Sequence, residues 1–136
     1  MKVRYVAQIG GSEVLAYVHM AWGALMRDGL WSKTEMLING AEECCYATVG
    51  RDTVIACIVY RTDESKQAVI AIAYVSPKHR AKGVYRKLHA EFEARAKSKG
   101  AVVVINICYP TNLGIQETCK KLGYQLHSVE YRKKLQ

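Results

Sequence analysis

The stretch Ser76–His89 reads SPKHRAKGVYRKLH, and it decides the fold because it joins a β-like run to a helix. Before it, residues 67–75 are rich in valine, isoleucine, alanine and tyrosine, a composition typical of a strand. After it, apolar residues recur every four positions, which predicts a helix with one apolar stripe: Val84, Leu88, Phe92 and Ala96. Gly83 lies between strand and helix, in a turn crowded with basic residues.

A glycine turn at the start of a helix is a predicted anion site. The first N–H groups of a helix have no acceptor inside the helix, and the helix dipole adds positive potential there. A pyrophosphate fits such a site. Nearby basic side chains add charge: Arg80, Lys82, Arg86 and Lys87. The chain nevertheless lacks both common nucleotide loops, G-x-x-x-x-G-K-[ST] and G-x-G-x-x-G.

Length and composition predict one domain spanning residues 1–136. The five cysteines are odd in number and form no C-x-x-C pair, and the four histidines are scattered, so no metal site is expected. No apolar run is long enough for a membrane span, and the N-terminus does not resemble a secretion signal. The expectation is a cytoplasmic protein without membrane contact.

The net charge of +8 is distributed unevenly along the chain. Lysine and arginine concentrate in residues 78–99 and again in residues 120–136. A local excess of positive charge favours an anionic ligand, which leaves a phosphorylated cofactor, an acidic peptide or nucleic acid as alternatives.

The order of elements predicts an α/β (α+β) fold with a mixed central sheet and flanking helices. Strands are expected at residues 3–9, 44–49, 53–60, 67–75, 101–109 and finally 124–135. Four helices are expected: from Ser12 to Gly29, from Ser32 onward, along the Val84 stripe up to Lys99, and at residues 112–122. Ser32 and Glu35 have the spacing of a capping box at the start of the second helix. The middle strands form an antiparallel meander. A β-α-β unit follows, and its second strand, at 101–109, is expected to be buried on both faces.

Two motifs together resemble the GNAT superfamily of N-acetyltransferases. The first is Val75-Ser76-Pro77 followed by Arg80-Ala81-Lys82-Gly83, which is similar to a V-x-P strand end and an [QR]-x-x-G helix start. The second is an asparagine-started helix ending in K-x-G-[FY], here Asn112 with Lys121-Leu122-Gly123-Tyr124. The resemblance implies the GNAT fold and acetyl transfer from acetyl-CoA to an amine.

The resemblance also assigns the cofactor-binding residues. It implies that backbone N–H groups across the turn bind the coenzyme A pyrophosphate: Arg80, Ala81, Lys82, Gly83, Val84 and Tyr85. The main chain of Tyr74 and Val75 would run beside the pantetheine arm, and an N–H near Val75 would polarise the thioester carbonyl. Asn112 lies where the family often has an asparagine that contacts the cofactor arm.

The sequence departs from the family pattern at two positions. Tyr85 stands where the family prefers glycine or alanine, and Cys119 stands where many members have the tyrosine that protonates the leaving thiolate. Cys119 is therefore a candidate general acid, because a thiol titrates closer to neutral pH than a phenol. The alternative for Cys119 is apolar packing on the Ile115-Cys119-Leu122 face. Tyr109 is a rival acid, with simple packing as its own alternative.

The acceptor is the least defined part of the sequence prediction. His19 and Trp31 are candidates to line an acceptor pocket formed by the first two helices. The acceptor itself stays open between a protein lysine or N-terminus, a small amine and an acidic macromolecule. The alternative function is a catalytically inactive GNAT fold or a basic module that binds coenzyme A, a protein partner or nucleic acid. An exposed edge strand at the C-terminus would favour a homodimer.

Overall fold

The computed structural model describes residues 1–30 and 38–135. The strands are β1 (Lys2–Val6), β2 (Glu43–Val49), β3 (Thr53–Thr62), β4 (Gln67–Val75) and β5 (Val103–Asn106). The α-helices are α1 (Leu15–Arg27), α2 (Val84–Ser98) and α3 (Leu113–Lys121), and a short 3-10 turn, Pro77–His79, precedes α2. The predicted meander and the β-α-β unit are both confirmed.

The five strands form one sheet in the order β1-β2-β3-β4-β5. The first four strands pair antiparallel, and β4 pairs parallel with β5. The parallel pair requires a crossover, which α2 supplies by returning the chain to the far edge of the sheet. The carboxyl end of β4 and the start of α2 therefore meet at one end of the sheet.

Side chains alternate between the two faces of the sheet along each strand, and a helix covers each face. α1 covers one face, where Val18 and Ala21 pack on Cys57, Ile72 and other buried strand residues. α2 covers the other face, where its apolar stripe packs on the sheet: Leu88, Phe92 and Ala96 against Ala47, Ile58, Tyr60 and Ile70. The Phe92 and Tyr60 rings meet edge to face, with 4.8 Å between their centroids. This core fixes α2, and through it the glycine turn.

Strands β4 and β5 are hydrogen-bonded to each other only along the first residues of β4. Their ladder runs from Gln67 opposite Val103 to Ile70 opposite Asn106. β4 continues to Val75, and among the described residues no strand pairs with its outer edge from Ile72 onward. The sheet therefore opens a gap beside the last residues of β4.

Two sequence predictions about the C-terminal half are wrong. The strand at β5 is shorter than residues 101–109 and is not buried on both faces, because it lies at the edge of the sheet, where Val102 and Val103 stay exposed. The final strand expected at residues 124–135 is absent, and Leu126, Tyr131 and Leu135 are almost fully exposed there. The short helix expected from Ser32 lies outside the described residues.

The helices of the described residues bear on the membrane prediction. None of them is long and apolar enough to cross a bilayer.

Candidate active site

The turn between β4 and α2 has the backbone shape of an anion cradle. Gly83 has φ 78° at the N-cap of α2, and Ala81 has φ 60°, an unusual value for a residue with a Cβ. Arg80 between the 3-10 turn and Ala81 is extended. In the part of the chain that the structure describes, no side chain caps α2, so the N–H groups of its first turn are left for an external acceptor. A Cβ at Gly83 would meet no atom within 4 Å, which shows that the cradle opens outward.

Arg80 fastens this turn to the end of β4. Its Nε donates to the carbonyl oxygen of Val75 at 2.8 Å, and its guanidinium carbon lies 5.3 Å from the centre of the Tyr74 ring. One side chain thus holds the strand end, the turn and an aromatic face together. The guanidinium also keeps a positive charge at the turn.

The free edge of β4 presents the backbone of alternate residues. Ser76 donates its N–H to Ile55 of β3 at 2.8 Å, so Ser76 points its backbone groups toward β3. Strand alternation then directs the backbone groups of Val75 and Ala73 away from β3, toward the gap. The sequence-based assignment of Val75 fits this geometry. Tyr74 turns its main chain toward β3 and contributes its ring instead, and Ala73 is a position that the sequence reasoning missed.

The hydroxyl groups of Tyr17 and Ser76 form a hydrogen bond beside the end of β4. The hydroxyl of Tyr17 on α1 lies 2.7 Å from the Ser76 hydroxyl, and the Tyr17 ring meets the Tyr74 ring edge to face at 6.2 Å. Burial raises the pKa of Tyr17 to about 12, although the hydrogen bond to Ser76 opposes the rise. No local pattern in the sequence indicates this contact, because Tyr17 and Ser76 are 59 residues apart, with β2, β3 and β4 between them.

Asn112 begins α3, as the sequence predicted. Its side-chain oxygen accepts the N–H of Ile115 at 3.3 Å, the ordinary role of an asparagine N-cap. The side-chain amide nitrogen of Asn112 takes no part in that cap. Its place as a cofactor contact remains a proposal.

Cys119 and Tyr109 lie at the two ends of the α3 segment. Cys119 is half-buried, and burial, followed by the nearby Cys108 thiol, raises its pKa above the ordinary cysteine value. Tyr109 accepts the N–H of Asn112 at its carbonyl oxygen, at 2.9 Å, just before the helix starts. The Ile115-Cys119-Leu122 face is half-buried rather than fully covered.

A buried polar cluster joins α2 to the end of α3. His89, only 2% exposed, has its Nε2 atom 2.6 Å from the Tyr124 hydroxyl and its Nδ1 atom 3.5 Å from the Glu93 carboxylate. The Tyr85 ring lies 5.9 Å from the His89 ring. Among the described residues no atom hydrogen-bonds to the buried Tyr85 hydroxyl. Sequence reasoning missed this cluster, because His89 flanks the apolar stripe of α2 and reads as a surface residue.

Of the two residues predicted to line an acceptor pocket, the structure describes His19. His19 is exposed on α1, with its ring 6.2 Å from the Trp22 ring. Trp31 lies outside the described residues. Within the described ranges no group of three metal-ligating side chains forms, and all five cysteines are free thiols.

The strand end, the open gap and the uncapped start of α2 lie together at one end of the sheet, and comparison with known proteins identifies the family. The chain matches the Acetyltransferase (GNAT) family over residues 15–124 and belongs to that family. It is an acyltransferase, and acetyl-CoA is its cosubstrate. A search of curated proteins found no match to the chain.

Solved structures share the fold at low sequence identity. The aminoglycoside N-acetyltransferase AAC(6')-Iy in complex with CoA has a TM-score of 0.67 and 18% identity, with 98% of this chain and 99% of that chain covered. AAC(6')-IG from Acinetobacter haemolyticus gives 0.62 and 20%, with both chains fully covered. A ribosomal-protein-alanine N-acetyltransferase from Brucella melitensis gives 0.69 and 12%, with 99% and 100% covered. These likenesses confirm the predicted GNAT fold.

The residues of this chain fit coenzyme A on two observations. The uncapped start of α2 and the open cradle at Gly83 match the needs of a pyrophosphate.

Proposed function

We propose that this protein moves the acetyl group of acetyl-CoA directly onto a primary amine. The observation that carries the proposal is the free outer edge of β4, which ends at an uncapped helix turn rich in positive charge. That arrangement would supply an extended backbone for the carrier arm and an anion cradle for its phosphates, next to each other at one end of the sheet.

The turn supplies the binding energy for the phosphates. The N–H groups of residues 81–85 would bind the pyrophosphate, and Lys82 adds a charge at the exposed rim. The N–H of Arg80, which the sequence analysis included in this set, donates instead to the Pro77 carbonyl at 3.3 Å, so Arg80 would contribute through its guanidinium. Each hydrogen bond to a charged phosphate oxygen contributes more than a neutral one. The adenosine end therefore fixes the cofactor, and the arm follows β4 into the gap.

The end of β4 prepares the carbonyl for attack. The N–H of Val75 points into the gap and would donate to the thioester oxygen, where negative charge develops as the amine attacks. Tyr17 and Ser76 close the α1 side of the same strand end and would orient the incoming amine. The amine must arrive uncharged. Neither β4 nor β5 contains a carboxylate that could accept its proton, so water would take it.

Cys119 would return a proton to the leaving thiolate. Because its pKa is raised by burial, the thiol is protonated at neutral pH, as a general acid must be before the reaction. Tyr109 is the second candidate for the same role.

The charge of the protein bears on the choice of acceptor. Relatives of the same fold act on aminoglycosides or on a ribosomal-protein alanine, and both acceptors are amines. With a net charge of +8, this chain repels polycations and favours an amine carried by a neutral or acidic molecule. His19 and Trp31 are proposed to line the acceptor side. Five free thiols are consistent with a reaction in the cytoplasm.

The C-terminal strand on which the sequence prediction of a homodimer depended does not form at residues 124–135, and the proposed homodimer would use the exposed edge of β5 instead. Val102 and Val103 are exposed there, and such an edge can pair with a second copy. Light scattering over a range of concentrations tests this part, and a monomer at every concentration would contradict it.

An acetyl-CoA consumption screen tests the proposed activity. The panel would contain small amines, aminoglycosides, peptides with free N-termini and acidic proteins, and mass spectrometry would locate the added acetyl group. We expect turnover with at least one primary amine and an acetylated nitrogen in the product. Binding of acetyl-CoA without transfer to any acceptor or lysate component would contradict it.

A further inference from the structure

Exposed apolar side chains concentrate in the C-terminal part of the chain. Among the described residues, the large apolar side chains that are exposed all lie in residues 102–135, apart from Met1 and Met20. Most of them belong either to β5 and its flanks or to residues 124–135, which we call the C-terminal segment. The members are Val102, Val103 and Ile107 at β5, and Leu126, Val129, Tyr131 and Leu135 in the segment. Apolar surface gathered in this way marks a place that another molecule covers.

The outer edge of β5 lacks the protection that a free sheet edge usually has. Natural sheet edges carry charged side chains, prolines or bulges that discourage pairing with another chain. The opposite edge of this sheet, β1, carries Lys2 and Arg4. The run of residues 101–109 contains no charged residue and no proline, and β5 is the last strand of the sheet among the described residues. The outer edge of β5 is therefore open to a further strand.

The C-terminal segment has the pattern of a strand. Val129, Tyr131 and Leu135 are separated by even numbers of residues, so they would share one face of an extended strand. No strand of the described residues pairs with the segment, and Tyr131 and Leu135 are 93% and 92% exposed. At the rise of a β-strand the segment would extend for about 40 Å, which is long enough to reach an edge on a second molecule.

The position of the chain is fixed where the segment leaves α3. Tyr124 donates its N–H to the Cys119 carbonyl at 2.9 Å, and its hydroxyl lies 2.6 Å from the Nε2 atom of His89 on α2. From this point the segment continues without pairing with the β5 strand of its own chain. One chain thus contains a sheet edge without a neighbouring strand and a strand-like segment without a sheet.

We propose that two copies of the chain exchange their C-terminal segments, each segment adding a strand to the outer edge of β5 in the other copy. The inference rests on the proposed homodimer and names the parts of the two chains that meet. A two-fold axis satisfies both edges and both segments at once, so the assembly closes as a dimer. Backbone hydrogen bonds supply the affinity, as in other cases of strand addition. The basic end of the segment meets no like charge on the edge, because residues 101–109 are uncharged.

Hydrogen exchange of the full-length protein, read alongside light scattering, tests the proposal. We expect the amides of the C-terminal segment to be protected at concentrations where the protein is a dimer, and to lose that protection where dilution produces monomer. Protection of the segment in a monomer would overturn the inference, because the segment would then cover the β5 of its own chain. An unprotected segment in a dimer would also overturn it, because the dimer would then use other surfaces.

Two proline variants, Ser128→Pro and Val129→Pro, give a second test that also serves for a dimer too tight to dilute apart. Neighbouring residues of a strand direct their N–H groups to opposite sides, so one of the two variants must remove a donor from the new pairing. We expect at least one of them to raise the Kd of the dimer about tenfold or more. Val129→Ile is the matched control, because it keeps the N–H and the β-branched shape, and it should leave the dimer unchanged.

The possible failures are distinguishable. A dimer that keeps its wild-type Kd in both proline variants overturns the exchange and leaves the proposed homodimer standing. A wild-type protein that is monomeric at every concentration overturns the homodimer together with the exchange. Neither result bears on acetyl transfer, which the acetyl-CoA consumption screen tests separately.

Discussion

The Nε atom of Arg80 donates a hydrogen bond to the carbonyl oxygen of Val75, at 2.8 Å. Through this bond the turn that would hold the phosphates is fixed to the strand residue that would polarise the thioester. The turn and the strand end are thus held in register by one side chain, which also lies over the Tyr74 ring.

Arg80→Ala is expected to weaken acetyl-CoA binding by about five- to tenfold, because it removes both a charge and the tether to Val75. Titration calorimetry at two salt concentrations measures this, and the loss should shrink at high salt. Lys97→Ala is the control, since Lys97 is exposed in the last turn of α2. Equal losses in both variants would show that Arg80 contributes only general charge.

Cys119→Ala is expected to lower kcat by roughly 10²-fold, the scale of a lost general acid, and to leave acetyl-CoA affinity unchanged. Rapid-quench measurement of the chemical step is the readout, because slow product release would mask the effect. Cys108→Ala is the matched control, because Cys108 is another half-buried thiol in the same region, and it should keep the wild-type kcat. A wild-type rate in folded Cys119→Ala would transfer the role to Tyr109 or water.

Glu42 is a buried carboxylate whose loss should destabilise the fold. Its side chain is fully buried, bonded by Arg61 and by the N–H groups of Asn39 and Gly40. Glu42→Gln should lower the free energy of unfolding by about 2–3 kcal/mol. This is less than the loss expected for a fully buried ion pair, because Arg61 is partly exposed to solvent. Asp52→Asn breaks the exposed Arg4 pair and should cost under about 1 kcal/mol. Urea unfolding compares them, and equal costs would contradict this account.

The same carboxylate predicts a loss of stability in acid. Burial by itself raises the pKa of Glu42, but Arg61 and the surrounding N–H groups outweigh it and hold the pKa below its ordinary value. The unfolded chain therefore takes up protons at a higher pH than the folded one. Stability is present above the unfolded pKa and is lost as the pH falls through the folded one. Glu42→Gln should flatten this part of the profile.

His89 predicts a second loss of stability, at milder acidity. Burial lowers the pKa of His89, and the Glu93 carboxylate only partly opposes this. Below about pH 6.5 the unfolded histidine takes up a proton that the folded one resists. Unfolding free energy should thus decline as the pH falls from 7 to 5, and His89→Gln should remove the decline. His127→Gln is the control, because His127 is exposed, and this variant should show the same decline in unfolding free energy as the wild type. An unchanged slope in His89→Gln would contradict a neutral buried histidine.

The sequence was sufficient for the elements that depend on local patterns. The apolar stripe from Val84 to Ala96 and the glycine at the helix start predicted α2 and its turn, because both signals lie within one short segment. The meander followed in the same way from alternation and short turns.

Other features depend on contacts that no local pattern records. Residues 124–135 alternate like a strand, yet a strand forms only where it can hydrogen-bond to a neighbouring strand, and no strand of the described residues pairs with this segment. The Tyr17–Ser76 contact and the Tyr85 hydroxyl depend on how α1 and α3 pack across the sheet. Sequence reasoning therefore predicted the glycine turn before α2 but not the side-chain contacts beside the end of β4.

The central claim is that the turn from Arg80 to Tyr85 holds the coenzyme A pyrophosphate, and Gly83→Asp tests it most directly. The new carboxylate would stand in the open cradle, beside the phosphates. Gly50→Asp is the matched control, because Gly50 also has positive φ, with open space around it, in the turn between β2 and β3. Titration calorimetry should show acetyl-CoA affinity falling at least about tenfold in Gly83→Asp and unchanged in Gly50→Asp. Wild-type affinity in a folded Gly83→Asp protein would contradict the claim.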